Sequence, residues 1–396
     1  TDEQELVPEQ PTYMTDFYFD EIYHVRTAYE NIHGITPYEI THPPFGKVMI
    51  AIGIKLLGMN PFGWRFMGTL AGVMMLPVIY LTSKLLLKER KYAVFSIVLF
   101  AADFMHFSQT RIGTVDSYSI LWIMLMFLFM YWYTQTNFNR QAIGKTLLPL
   151  FLCGLFFGIG AATKWLCLYA GPGLLVIYMV MMYRRYREYR YAKESGEYPD
   201  VTTAYHKKLA ITLVASVGFF IIIPAIIYLL SYIPYALVTD GGAYGFKEII
   251  GNQDYMLNYH ANLNPDHIHP FSSKWYTWPA DIRPVLFFSN QNAQTGTIAT
   301  LSTMGNPFLW WMGIIAVVSL IVLIIRQEKH RTSVLFFLLV GALSQFMPWW
   351  FITREVFIYH YFAMVPFMIL LIVYWIRYLE RKYPYGKLFG YIFVVA

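Results

Sequence analysis

The sequence predicts an all-α protein, a polytopic transmembrane helix bundle whose working surface lies in its extracytoplasmic loops. Three observations carry that prediction. Hydrophobic residues make up 57% of the 396 residues, charged residues only 14%, and mean hydropathy is +0.43, where a soluble domain carries about 25% charge. The apolar residues fall into long runs, and a helix needs about 20 of them to cross a bilayer. Lysine and arginine collect in alternate short loops.

The elements follow in order. Apolar runs near 64–87, 92–107, 114–136, 147–161, 166–183, 209–232, 307–325, 333–351 and 357–376 predict nine spans, with another begun at 388. Val48–Met59 is apolar but brief, which predicts an interfacial or re-entrant helix. The whole chain reads as one membrane-embedded domain, apparently clipped at both ends, with loops at 1–63 and 233–306. Residues 183–208 read as a charged linker.

Sidedness comes from charge. Loops at 84–91, 135–146, 184–208, 326–332 and 377–387 hold twenty of the thirty Lys and Arg residues. The positive-inside rule makes these loops cytoplasmic. Loops 1–63, 103–113, 162–165, 233–306 and 352–356 then face outward, and they carry most of the reactive side chains. The net charge of +6 therefore reports orientation, not nucleic-acid binding. Cys153 and Cys167 lie in apolar runs and imply no disulfide framework.

Residues 18–47 hold the first candidates. Asp20 and Glu21 are adjacent, so in a turn they point apart and can serve two partners; one could take a proton from a hydroxyl. The turn His42-Pro-Pro-Phe-Gly-Lys47 follows, with two prolines fixing φ and a glycine releasing the backbone. Acids at the mouth of a helix bundle are costly and point to function; two ordinary surface acids are the alternative.

Arg111 suits a phosphate, because its planar fork gives paired charge-assisted bonds. Asp116, five residues on, could orient that arginine or simply charge a helix start. Lys164-Trp165 sits at an outer edge, as a second cation for a lipid-linked phosphate or as a snorkelling anchor. The loop beyond Asn252 pairs aromatic faces with Asn, Gln, His and Ser, a combination suited to sugars and head groups. His267 and His269 form an H-x-H, poor evidence for a metal by itself. Arg354 and the aromatic cluster through His360 open the last span.

Taken together, the Asp20-Glu21 pair, H-P-P-F-G-K, R-I-x-x-x-D at 111–116, K-W at 164–165, Y-H-A-N-L, H-P-F-S-S-K-W-Y-T-W-P and R-x-x-F-I-Y-H-Y at 354–361 resemble the protein O-mannosyltransferases. These are GT-C enzymes that use dolichyl- or polyprenyl-phosphate mannose, and the likeness runs over nearly the whole chain.

The resemblance implies inverting transfer of mannose to Ser or Thr hydroxyls of secreted or membrane proteins. On matching positions Asp20 would be the base, with Glu21 and His42 toward the acceptor. Arg111, Lys164, Arg354, His269 and His360 would be candidates for the donor phosphate, supported by Asp116 and Trp165. The family's first span, before the acidic pair, is not in this sequence, and 233–306 is too short for the β-trefoil of eukaryotic members. A bacterial-type enzyme in the plasma membrane is therefore expected. No metal or cofactor is assigned, and a divalent ion stays open. A related GT-C enzyme moving another sugar to lipid or cell-wall glycan is the nearest alternative. A transporter would need charges near mid-span and broken helices, and these spans are mostly free of ionisable residues.

Overall fold

The computed structural model describes residues 12, 14–262, 269–292, 297–326 and 333–395. Helices α1 (Glu21–His33) and α2 (Phe45–Leu57) precede the first long helix, α3 (Pro61–Leu87). At 13 residues α2 is too short to cross a bilayer. Its turn into α3 is tight. The Asn60 side chain accepts from Gly63 N at 3.0 Å and Pro61 opens the helix, a capping pattern that suits proline's missing N–H. A Cβ on Gly63 would stand 2.0 Å from the Gly58 carbonyl, so only glycine fits there.

Helix α4 (Arg90–Ala101) stops after 12 residues and α5 (Phe104–Gln109) restarts the chain. The run expected to span continuously over 92–107 is therefore broken. The Asp103 carboxylate accepts from His106 N at 3.1 Å and from Trp310 Nε1 at 2.8 Å, so it caps α5 while joining it to a later span. Helices α6 (Asp116–Thr134) and α7 (Ile143–Thr163) follow as full spans. A 3-10 turn, Trp165–Tyr169, leads into α8 (Ala170–Ser195), and then come α9 (Pro199–Val217), a π-turn at Gly218–Ile222 and α10 (Ile223–Ser231).

The stretch expected to be a linker, 183–208, is thus mostly helix broken at Gly196. Its Arg, Glu and Tyr residues continue the turn, helped by an Arg190–Glu194 pair one turn apart.

Short α11 (Ile233–Ala236) and α12 (Phe246–Ala261) enter the large loop. It also holds an antiparallel hairpin, β1 (Val285–Asn292) with β2 (Thr297–Thr303), bulged between Leu286 and Phe288. That pair of strands is a small addition to a bundle that is otherwise helical, as expected. The hairpin is fastened to the bundle where Ser108 Oγ meets Thr303 Oγ1 at 3.0 Å. Helices α13 (Pro307–Ile325), α14 (Ser333–Phe346), α15 (Val365–Lys382) and α16 (Gly386–Val395) complete the chain.

Among the described residues, eight helical segments are long and apolar enough to cross a membrane. Helix α15 is the axis: every residue from Val365 to Ile376 is buried. Gly341 of α14 and Gly313 of α13 give it room, since a Cβ at either would strike Phe367 or Met368. Lipid offers no hydrophobic drive between spans, so such close packing has to hold them by dispersion. The span Pro199–Ser231, by contrast, is almost entirely outward-facing.

Candidate active site

The chain enters α1 through Phe19, whose φ of 51° is left-handed. Such a conformation is costly for a bulky side chain and persists only where the surroundings enforce it. Phe19 N donates to Phe287 O of β1 at 3.2 Å, and its ring packs among Phe287, Phe357 and Tyr359. The next residue, Asp20, is the cap of α1, yet its side chain caps nothing.

The two adjacent carboxylates have opposite surroundings. Glu21 is fully buried and accepts four hydrogen bonds. Two come from Arg65, Nε at 2.8 Å and Nη2 at 2.7 Å, one from Gly113 N at 2.7 Å and one from Tyr18 N at 3.0 Å. Four protein donors occupy its oxygens, whereas the sequence reading gave Glu21 to the acceptor. Asp20 is half-buried, and no hydrogen bond to its carboxylate is found among the described residues. Burial holds its pKa above the ordinary aspartate range, raised further by Asp116 and Glu39, while His24 and Lys164 oppose the rise.

A second acid, Glu39, organises the turn behind Asp20. It receives Lys47 Nζ at 2.6 Å, Thr41 N at 2.8 Å, the Thr41 hydroxyl, and His42 Nδ1 at 3.1 Å, with His24 Nδ1 at 3.6 Å. Burial alone would raise Glu39, but Lys47 and His42 outweigh it and hold the carboxyl well below its usual range. Lys47 is itself fully buried and also donates to the carbonyls of Glu39 and His42, at 2.7 and 2.8 Å. The H-P-P-F-G-K turn is therefore pinned from within.

Burial pushes His42 down to about 3 despite Glu39, so its imidazole is neutral. A carboxylate can only accept, so Nδ1 carries the proton and Nε2 is left as an acceptor. His260 of α12, pushed to about 4 by burial and Arg354, bonds Thr41 O at 2.9 Å and lies against the His42 ring.

Cations close the other side. Lys164, at the end of α7, pairs with Asp116 Oδ1 of α6 at 2.7 Å, and its Nζ stands 5.9 Å from the Tyr359 ring centre. Asp116 thus serves Lys164, not Arg111. Arg354 is half-buried among Tyr169, Tyr259 and Tyr359, and burial lowers its pKa. No hydrogen bond or ion pair to its side chain is found among the described residues.

The remaining candidates are arranged differently from expectation. Arg111 is exposed, lying 3.5 Å over the Phe107 ring, and makes no contact with Asp20, Lys164 or Arg354. His360 is enclosed between Trp349 and Tyr359, with Nδ1 turned to the Phe357 backbone at 2.9–3.1 Å. His269 Nδ1 accepts from Phe271 N at 3.3 Å. Neither ring nitrogen Nδ1 is therefore free for a phosphate. Trp165 bonds Tyr228 OH at 3.2 Å, and a chain through Gln253, Tyr232 and Asn252 ends on Ile40 O. It strings the 3-10 turn after α7, α10, α12 and the Glu39 turn together. His267 lies outside the described residues, and among those described no group of three or more His, Cys, Asp or Glu is placed to hold a metal.

Sequence reasoning missed Arg65, Glu39 and His24 as members of this site, and it included Tyr259 and Tyr359 only as parts of the Y-H-A-N-L and R-x-x-F-I-Y-H-Y motifs. Glu39-x-x-His42 and Asp20 to His24, one helical turn apart, were readable spacings. Arg65 meets Glu21 across 44 residues and carried no local signal.

A bundle of spans with one unpaired acid near cations at a rim is an arrangement suited to a membrane glycosyltransferase of the GT-C class, and the comparisons place the chain there. Solved structures share the fold. This chain superimposes on a chain of the S. cerevisiae protein O-mannosyltransferase Pmt1-Pmt2 complex bound to the sugar donor with a TM-score of 0.79 and 12% identity, over 97% of this chain and 84% of that one. Against ArnT from Cupriavidus metallidurans bound to undecaprenyl phosphate the TM-score is 0.60 at 13% identity, over 96% and 59%.

The family model for dolichyl-phosphate-mannose-protein mannosyltransferase matches residues 41–193, and that for the C-terminal four-span region of protein O-mannosyltransferase matches 245–396. The polyprenol-phosphate-mannose–protein mannosyltransferase of Mycolicibacterium smegmatis is 24% identical over 89% of this chain and 75% of its own length. The chain belongs to the protein O-mannosyltransferase family.

Proposed function

We propose that this protein transfers mannose from a polyprenyl-phosphate donor to Ser or Thr hydroxyls of secreted or membrane proteins, with inversion. Asp20 is the base. The observation that carries the reading is the unpaired Asp20 carboxylate, which feels the charge of Lys164 and shares its Tyr259 and Tyr359 neighbours with Arg354. The acceptor oxygen bonds to the sugar C1 as the C1–O bond to phosphate breaks. The hydroxyl proton goes to Asp20, and the bonding pair goes to the phosphate oxygen. Such a leaving group needs cations and no protonating acid, and Lys164 and Arg354 are its proposed holders. His42, neutral with Nε2 free to accept, lies toward the acceptor. The bacterial plasma membrane is the proposed location, with the site extracytoplasmic.

The test is transfer of labelled mannose from polyprenyl-phosphate mannose to a Ser/Thr peptide. Asp20→Asn keeps shape but removes the proton acceptor, so the rate should fall by about a hundred- to ten-thousand-fold while donor still binds. In the parent enzyme kcat/KM should drop on the acid side through a pKa above the ordinary aspartate range, since the base works only when ionised. An unchanged Asp20→Asn rate removes the assigned base. Labelling of lipid alone, with no peptide product, favours the glycan-modifying alternative.

A further inference from the structure

At the end of the bundle away from Asp20 a groove of about 430 Å³ runs between α3 and α6. Trp132, on its rim, lies 16 residues beyond Asp116 along α6, roughly 24 Å at helical rise. Leu85, Leu128 and Phe129 line it, and Lys84, in the last turn of α3, and Lys88, the left-handed cap just past its end, stand at its mouth with Trp132.

The charges around it are uneven. Arg377 and Arg381 are paired with Glu89, Lys91 with Glu380, and Arg140 with Glu188. Lys84 and Lys88 are both exposed and have no carboxylate partner among the described residues. The walls of the groove belong to two membrane spans, so its natural filling is hydrocarbon. Two lysines beside a tryptophan mark the depth of phosphate head groups. Basic pockets between spans select anionic lipids.

We infer that this groove is a binding site for an anionic glycerophospholipid. Its acyl chain would lie along Leu85, Leu128 and Phe129, and its phosphodiester would sit between Lys84 and Lys88. The site is separate from the donor pocket and does not depend on the reaction proposed above.

Native mass spectrometry of the whole detergent-solubilised protein provides the test, with dioleoyl phosphatidylglycerol and dioleoyl phosphatidylcholine as probes. The protein should retain phosphatidylglycerol preferentially, and Lys84→Gln with Lys88→Gln should cut that retention about tenfold without loss of mannosyl transfer. Leu85→Trp, which fills the groove from an exposed position, should reduce both lipids. Quenching of Trp132 by brominated lipids, taken as wild type minus Trp132→Phe, keeps the test open should the lysine variant fold poorly; the brominated phosphatidylglycerol should quench more. Equal retention of the two lipids, retention unchanged in the double variant, or displacement of phosphatidylglycerol by polyprenyl phosphate would each overturn the assignment.

Discussion

Asp20 and Glu21 differ in role because the backbone turns between them. The left-handed Phe19 and the start of α1 send Glu21 inward onto Arg65 and Gly113, leaving Asp20 at the edge of the pocket. A buried carboxylate with four donors is a clamp, and removing one partner strands the other's charge, at a cost of about 3–5 kcal/mol. Glu21→Gln should therefore lower the unfolding temperature in detergent and reduce kcat, with little change in acceptor KM. A raised acceptor KM at unchanged stability would instead restore the acceptor role implied by family resemblance. Asp20 was visible as a candidate because it sits at a bundle mouth. Its saturated neighbour could not be told from it, since the partners that distinguish them come from other helices.

Elements were legible where apolar composition is uniform and illegible where one polar contact decides. Helices α3, α6, α7 and α13 match their apolar runs to within a few residues. The 92–107 run reads as one span because Ala101-Ala102 continues its apolarity, and only the buried Asp103, answering Trp310, shows the break. The hairpin was missed because its strands are half polar and its anchoring is tertiary. Helix α7 illustrates how an element positions the site. Gly154 and Gly158 bring it against the π-turn and α10, where an added Cβ would stand 2.3 Å from Phe219 O and 2.8 Å from Pro224 Cα. Its far end carries Lys164. Gly158→Val should push α7 from α10, costing about 1–3 kcal/mol, and shift Lys164 enough to weaken donor use. Thermal unfolding and donor KM report the two effects separately; a variant with both unchanged would show that α7 is not held by this contact.

Across the whole molecule the two ends of the bundle have different electrostatics. One end holds Asp20, Glu39, Asp116, Lys164 and Arg354 as a cluster of partly or fully buried charges; the other is laced with Lys and Arg, many of them paired. The charge bias of the loops predicted that sorting, and the helices deliver it because each crossing returns the chain to the opposite end. By the positive-inside rule the same bias gives the orientation proposed above, with the basic loops in the cytoplasm. Lys193, on the charged end of α8, and Lys247, on α12 beside the pocket loops, are both exposed. The native cysteines, Cys153 and Cys167, are buried and give a silent background. In intact cells a membrane-impermeant maleimide should label Lys247→Cys at once and Lys193→Cys only after permeabilisation. The reverse pattern would turn the pocket toward the cytoplasm, where a secreted acceptor could not meet it, and the proposed reaction would have to be abandoned whatever the chemistry of Asp20.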